Sequence, residues 1–127
     1  MRSRPTSLLL LAAVVLGFAQ AAAAESIKIL VQSSPLAGFQ YHAGTEVWEL
    51  LRVGDALALV REPANAHDGN AVRVEWQGHM LGYLPRAENR AVAAEIDSGT
   101  RVHARIARLT PARNPWQRLL IEVFVVL

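Results

Sequence analysis

From Ala71 to Trp76 the chain alternates without a slip, with Val72, Val74 and Trp76 on one side and Arg73 and Glu75 on the other. A period of two belongs to a strand with one face on a core and one in water, and it excludes an amphipathic helix. Gln77-Gly78 closes the run as a tight turn, and His79 to Leu84 reads as the next strand. Upstream, Ala56 to Arg61 forms a third strand, separated from the first by a polar stretch that contains Pro63, Asn65, Asp68-Gly69 and Asn70. That connection uses about eight residues where a hairpin uses two to five, and long connections are where binding groups are displayed. It carries Asn65, His67, Asp68 and Asn70, although turn-making alone accounts equally well for Asp68, Gly69 and Asn70.

The remaining elements follow from the same patterns. Ser26 to Ser33 reads as a short β-branched strand, followed by a loop to Gly38. Phe39 to His42 reads as extended, with Phe39 and Tyr41 on one side, Gln40 and His42 on the other, and Phe39 in the core. Glu46 to Arg52 is expected to form a helical turn with Val47, Leu50 and Leu51 inward. A helix is expected over Ala87 to Asp97, offering Ala91, Val92 and Ile96 to the core and stopping at Gly99, with Asn89 as an alternative cap. Thr100 to Leu109 is a strand that sets Arg101, His103 and Arg105 against a buried row of Val102, Ala104 and Ile106. Thr110 to Trp116 is a loop, and Gln117 to Leu127 a final strand apolar on both faces near its end. The predicted fold is mainly β: a small OB-like β-barrel of five to six strands with one or two short helices.

Residues 1–24 stand apart. Arg2 and Arg4, an apolar run from Leu8 to Ala19 and Ala22-Ala23-Ala24 form the three parts of a secretory signal, with cleavage expected before Glu25. The strongly apolar part is shorter than the roughly 18 to 20 residues that a spanning helix requires. The expectation is a periplasmic or secreted protein without a stable membrane anchor, and residues 25–127 as one domain, expected to be monomeric. With no cysteine in the chain, disulfides and thiolate zinc sites are excluded and the domain must hold by core packing. Without Arg2 and Arg4, eleven basic residues face eleven acidic ones, so the mature chain is formally neutral. The charge is uneven: five arginines and one acid, Glu122, follow Thr100. A basic face for phosphates and an ordinary solvated face both fit that asymmetry.

Three segments taken together carry a resemblance. Gly38-Phe39-Gln40-Tyr41-His42 comes first, then Leu59-Val60-Arg61-Glu62-Pro63 with Asn65-Ala66-His67-Asp68-Gly69-Asn70-Ala71-Val72, then Leu81-Gly82-Tyr83-Leu84-Pro85. This succession resembles the HIRAN domain family over essentially the whole of residues 25–127. The resemblance implies a modified OB-like barrel, here standing alone as in bacterial members, and capture of the 3′ end of single-stranded DNA. By position it implies a pocket made by Gln40, Tyr41, Asn65, His67, Asp68, Tyr83 and Arg86, with Trp116 as a further stacking aromatic. Within such a pocket, Tyr41, His67 and Trp116 offer flat faces to unstacked bases. Asp68 accepts from a terminal hydroxyl and repels a terminal phosphate, and Arg86 supplies a phosphate contact. Gln40 stands where DNA-binding members commonly carry arginine, His67 where tyrosine is frequent, and Ala66 where proline is frequent.

Two other classes of function fit parts of the same loop and barrel face. A zinc-binding protein with hydrolase activity on acid anhydrides would use His67 and Asp68 with a neighbour such as Asn70, but catalytic zinc takes three protein ligands and a water. A non-enzymatic envelope protein would use the same barrel face for a peptide, glycan or protein partner. Neither a nucleophile with an identifiable base, a phosphate-binding glycine loop nor a spaced carboxylate pair is present. The chain is therefore read as a binding module without a cofactor.

Overall fold

A computed structural model of the protein describes residues 26–127; the leader read at residues 1–24 lies outside them. The period-two runs become β1 (Lys28–Pro35), β2 (Ala56–Arg61), β3 (Val72–Trp76), β4 (His79–Tyr83), β5 (Arg101–Leu109) and β6 (Leu119–Val126). Two helices, α1 (Gly44–Val47) and α2 (Arg90–Asp97), and short 3-10 turns at Phe39–Tyr41, Trp48–Leu50 and Pro115–Gln117 occupy the connections. Neighbouring strands are all antiparallel, in the order β1-β6-β5-β2-β3-β4. The fold is mainly β and OB-like, and β6, apolar on both faces, sits between β1 and β5.

The two ends of the sheet meet just past β1. Ala37 donates its N–H to the Tyr83 carbonyl and accepts from the Tyr83 N–H, both at 2.9 Å, in an isolated bridge to β4. Gly82 makes the approach possible. Its φ is 152°, a conformation open essentially to glycine alone, and a Cβ there would collide with the Ala37 carbonyl oxygen. The β3 alternation is kept: Val72, Val74 and Trp76 are buried with Phe39, Leu81, Ile106, Ile121 and Val123 in one core. Trp76 brings its indole N–H out to Asp55 Oδ2 at 2.9 Å, so the buried ring leaves no donor unpaired.

Three local expectations are corrected. Phe39 to Tyr41 is a 3-10 turn rather than extended chain; Phe39 is fully buried while Tyr41 is 78% exposed. Gly44 explains the choice, because a side chain there would occupy the space of the Phe39 ring. In the next segment Val47 and Leu51 are buried, but Leu50 is exposed, since the change from α to 3-10 at Trp48 rotates it outward. Helix α2 starts at Arg90, three residues later than its periodicity suggests, after a turn in which Glu88 N–H bonds the Pro85 carbonyl. Its inner face is Val92 and Ala93, and Ala91 faces outward.

If barrel closure rests on Gly82, Gly82→Ala lowers unfolding free energy by about 2 to 4 kcal/mol through backbone strain and collision with Ala37. Gly78 also has positive φ, at 82°, but a Cβ there meets nothing within 4 Å. Gly78→Ala is expected to cost about 1 kcal/mol. Urea denaturation of the two variants side by side measures the difference.

Candidate functional site

The long connection between β2 and β3 is held by two adjacent side chains at the end of β2. Arg61, with a side chain only 11% exposed, donates from Nη1 to the Ala71 carbonyl at 2.8 Å and from Nη2 to the Gly69 carbonyl at 3.0 Å. The same guanidinium makes a two-point pair with Asp97 at the end of α2, Nε to Oδ1 at 2.9 Å and Nη2 to Oδ2 at 3.1 Å. Glu62 grips the front of the loop. Its Oε1 accepts from Asn65 Nδ2 at 3.0 Å and from the Tyr83 hydroxyl at 2.9 Å, while Oε2 accepts from Arg73 Nη1 at 2.8 Å. Asn65 passes the order on, because its Oδ1 accepts from the backbone N–H of His67 at 2.8 Å and of Asp68 at 3.1 Å.

Asp68 sits at the centre of this arrangement. Oδ1 accepts from the Asn70 N–H at 2.9 Å, closing an Asx turn. Oδ2 accepts from Asn89 Nδ2 at 2.7 Å. Asn89 stands at the N-cap of α2, yet its side chain makes no cap bond; it is buried, 1% exposed, and turned toward the loop. Helix α2 therefore braces the connection at both ends, through Asn89 and through Asp97. The Asn70 N–H and then the Asn89 amide hold the Asp68 carboxyl below its ordinary range, with Arg86 and Arg61 adding charge attraction against the opposing effect of burial. Glu62 is lowered as well, first by Asn65 and then by Tyr83 and Arg73. The Tyr83 phenol is raised by burial and by its bond to Glu62.

Asn65, His67, Asp68, Tyr83 and Arg86 converge on one hollow of about 260 Å³, floored by Ala37, Ala71 and Leu84. Five of the eight residues proposed from sequence are thus brought together. The Tyr83 hydroxyl is committed to Glu62, so its ring is what faces the hollow; that ring also meets His42 edge-on at 5.9 Å. Gln40, Tyr41 and Trp116 lie outside it. Gln40 and Tyr41 are exposed on the 3-10 turn that packs between β4 and the Pro115–Gln117 turn. Trp116, 47% exposed, borders a separate depression with Pro35 and Arg108. The two turns that carry these three residues touch each other.

Each Asp68 oxygen accepts one bond from the protein, which leaves acceptor capacity for a ligand hydroxyl beside the Arg86 cation. The zinc alternative gains no third ligand: among the described residues no three of His, Cys, Asp and Glu converge. Sequence reasoning missed Arg61, Glu62, Asn89 and Asp97 as builders of the site. Sequence alone gives Arg61 and Glu62 no role of their own, and offers Asn89 only as an alternative helix cap.

Residues 29–127 match the family described as HIRAN domain. A rice protein (Oryza sativa subsp. japonica) named Fanconi-associated nuclease 1 homolog is 32% identical over 77 residues, which are 58% of this chain and 8% of the rice protein. The chain thus spans under a tenth of that relative's length. The crystal structure of a Lactobacillus plantarum protein matches with TM-score 0.69 and 27% identity, over 80% of this chain and 98% of that one. The crystal structure of the HIRAN domain of human HLTF matches with TM-score 0.61 and 21% identity over 78% of each chain, a likeness of fold.

The carboxylates that hold the loop have a pH signature. Asp68 and Glu62 have folded-state values below their unfolded ones. Their stabilisation is therefore complete above the unfolded carboxylate range near pH 4 to 5 and is lost as pH falls through the lowered values. Asn89→Ala removes one cause of the Asp68 shift. It is expected to destabilise by about 1 to 2 kcal/mol at pH 7, and to move the acid-unfolding midpoint upward; circular dichroism across pH 2 to 7 reads both.

Proposed function

We propose that this chain, which belongs to the HIRAN domain family, is a non-enzymatic module that binds the 3′ end of single-stranded nucleic acid. The observation that carries the reading is the convergence of Asn65, His67, Asp68, Tyr83 and Arg86 on one preformed hollow. The Asp68 carboxylate takes the terminal 3′-hydroxyl, the last phosphate meets Arg86, and the terminal base lies against His67 and the Tyr83 ring. Tyr41 and Trp116 on the two touching turns stack the bases that follow, each contact being worth about 1 to 3 kcal/mol. The segment shared with the rice nuclease homologue is read as its strand-binding part, and the hydrolytic function is not carried over.

The departures from the family pattern set the strength of this binding. Gln40 in place of arginine removes one phosphate contact, and His67 in place of tyrosine offers a smaller stacking face. Binding is therefore weak and confined to low salt, since the electrostatic contribution scales with the cations set against phosphates. The three-part pattern at residues 1–24 supports a periplasmic or secreted module, whose strand is then extracytoplasmic DNA.

Changing the ligand rather than the protein gives the cleaner test, because Asp68→Ala would also release the loop from Asn70 and Asn89. Three otherwise identical short oligonucleotides ending in 3′-hydroxyl, 3′-deoxy or 3′-phosphate are titrated at low salt. The hydroxyl form is expected to bind best, the deoxy form several-fold more weakly, and the phosphate form weakest, because its charge meets the Asp68 carboxylate. Equal affinity for all three would refute end recognition.

A further inference from the structure

The basic face of β5 is unused by the end pocket, and it borders the largest hollow described. That hollow, about 760 Å³, lies on the outer face of the sheet and shares no residue with the end pocket. Its floor is cut low by the small residues Ala56 and Ala58 of β2. Strand register places the rest. Lys28 and Arg101 both lie opposite Val126 from the two sides of β6, and Leu30 and His103 likewise flank Phe124. Arg105 completes the row, with its guanidinium carbon 4.9 Å from the Phe124 ring centroid. Its Nε is held by Glu122 at 2.9 Å, but the side chain remains 54% exposed.

We propose that this face is a second site, which binds the interior of a single nucleic-acid strand through its phosphates and bases and needs no strand end. Two features favour that ligand. Alternate residues on an antiparallel strand are about 6.8 Å apart, which is comparable with the phosphate spacing of an extended single strand. Arg101, His103 and Arg105 thus form a ladder in step with such a backbone, and Lys28 adds a fourth position across β6. Between Lys28 and Arg101 on one side and Arg105 on the other, Leu30, Phe124 and His103 lie side by side across three strands, with the planar Arg105 guanidinium over the Phe124 ring. A base stacks on rings and on guanidinium planes alike. The single acid of this row, Glu122, is already paired with Arg105, so little opposes the approach of phosphate.

The proposal deepens the nucleic-acid reading and fails separately from it, because a covalently closed single-stranded DNA circle has no end for the Asp68 pocket. The purified protein is expected to bind the circle at low salt. Lys28→Ser/Arg101→Ser, two exposed strand positions, is expected to reduce the slope of log affinity against log salt by about 1.4, at about 0.7 per phosphate contact for single strands. The same variant should keep the preference of a three-nucleotide oligomer for 3′-hydroxyl over 3′-phosphate, which reports the end pocket alone. No binding of the circle at low salt, or an unchanged slope in a folded variant, overturns the second site. Equal competition by dextran sulfate at matched charge also overturns it, because a polymer without bases would then suffice. Loss of the 3′-hydroxyl preference in the wild type, with the circle still bound, removes the end-pocket reading and leaves this one standing.

Discussion

The Arg61 guanidinium is the contact on which the end of this barrel that carries the candidate hollow depends. A connection of this length, rich in asparagine and glycine, would by itself sample many conformations, and ordering each residue costs about 1 to 2 kcal/mol of backbone entropy. Arg61 opposes that cost by tying the two carbonyls at the far end of the loop to a helix that belongs to a different part of the chain. Bonds involving a charged partner are roughly twice as strong as neutral ones, and the planar guanidinium fork suits a two-point carboxylate pair. Lysine could supply the charge but not the geometry.

Glu62, the next residue, does the opposite job with the opposite charge. It collects Asn65, Tyr83 and Arg73 into one network, so the loop's near end is locked to β3 and β4. The adjacent pair therefore holds the connection from both ends, and Pro63 between Glu62 and the asparagines limits the entropy still to be lost. A binding site built this way is ordered before any ligand arrives, and preorganisation reduces the ordering cost at association. The same economy explains the double use of Asp68. Its carboxylate closes the turn and meets Asn89, yet keeps acceptor capacity, so one side chain both shapes the hollow and faces into it.

How far the sequence disclosed this depends on the range over which each signal acts. The alternation of Val72, Val74 and Trp76 is a local property of a half-buried strand, and it survived intact. That five residues share one hollow was also legible, because a motif keeps their spacing and the loop brings three of them together. Phe39 to Tyr41 was not legible as a turn, since what bends it is the absence of a side chain at Gly44, a contact rather than a pattern. Asn89 misled for a related reason. Asparagine before a helix ordinarily caps it, and only the fold reveals a carboxylate twenty-one positions upstream within 2.7 Å of its amide. Arg61 and Asp97, thirty-six positions apart, were equally invisible to any local rule.

The formal neutrality of residues 25–127 is the sequence property that most understates what the surface can do. Glu62, Glu75, Asp97 and Glu122 are each spent on an arginine, and Asp68 on amides. Those charges cancel where they stand. Beyond roughly 8 Å at physiological salt, exposed charges are largely screened, so a strand meeting β5 responds to Lys28 and Arg101, with the Arg105 guanidinium offered as a stacking plane, rather than to the sum over the whole chain. A domain with no net charge can therefore carry local cations, at the expense of long-range steering. Such a surface holds a polyanion only in direct contact, and that contact has to include the bases.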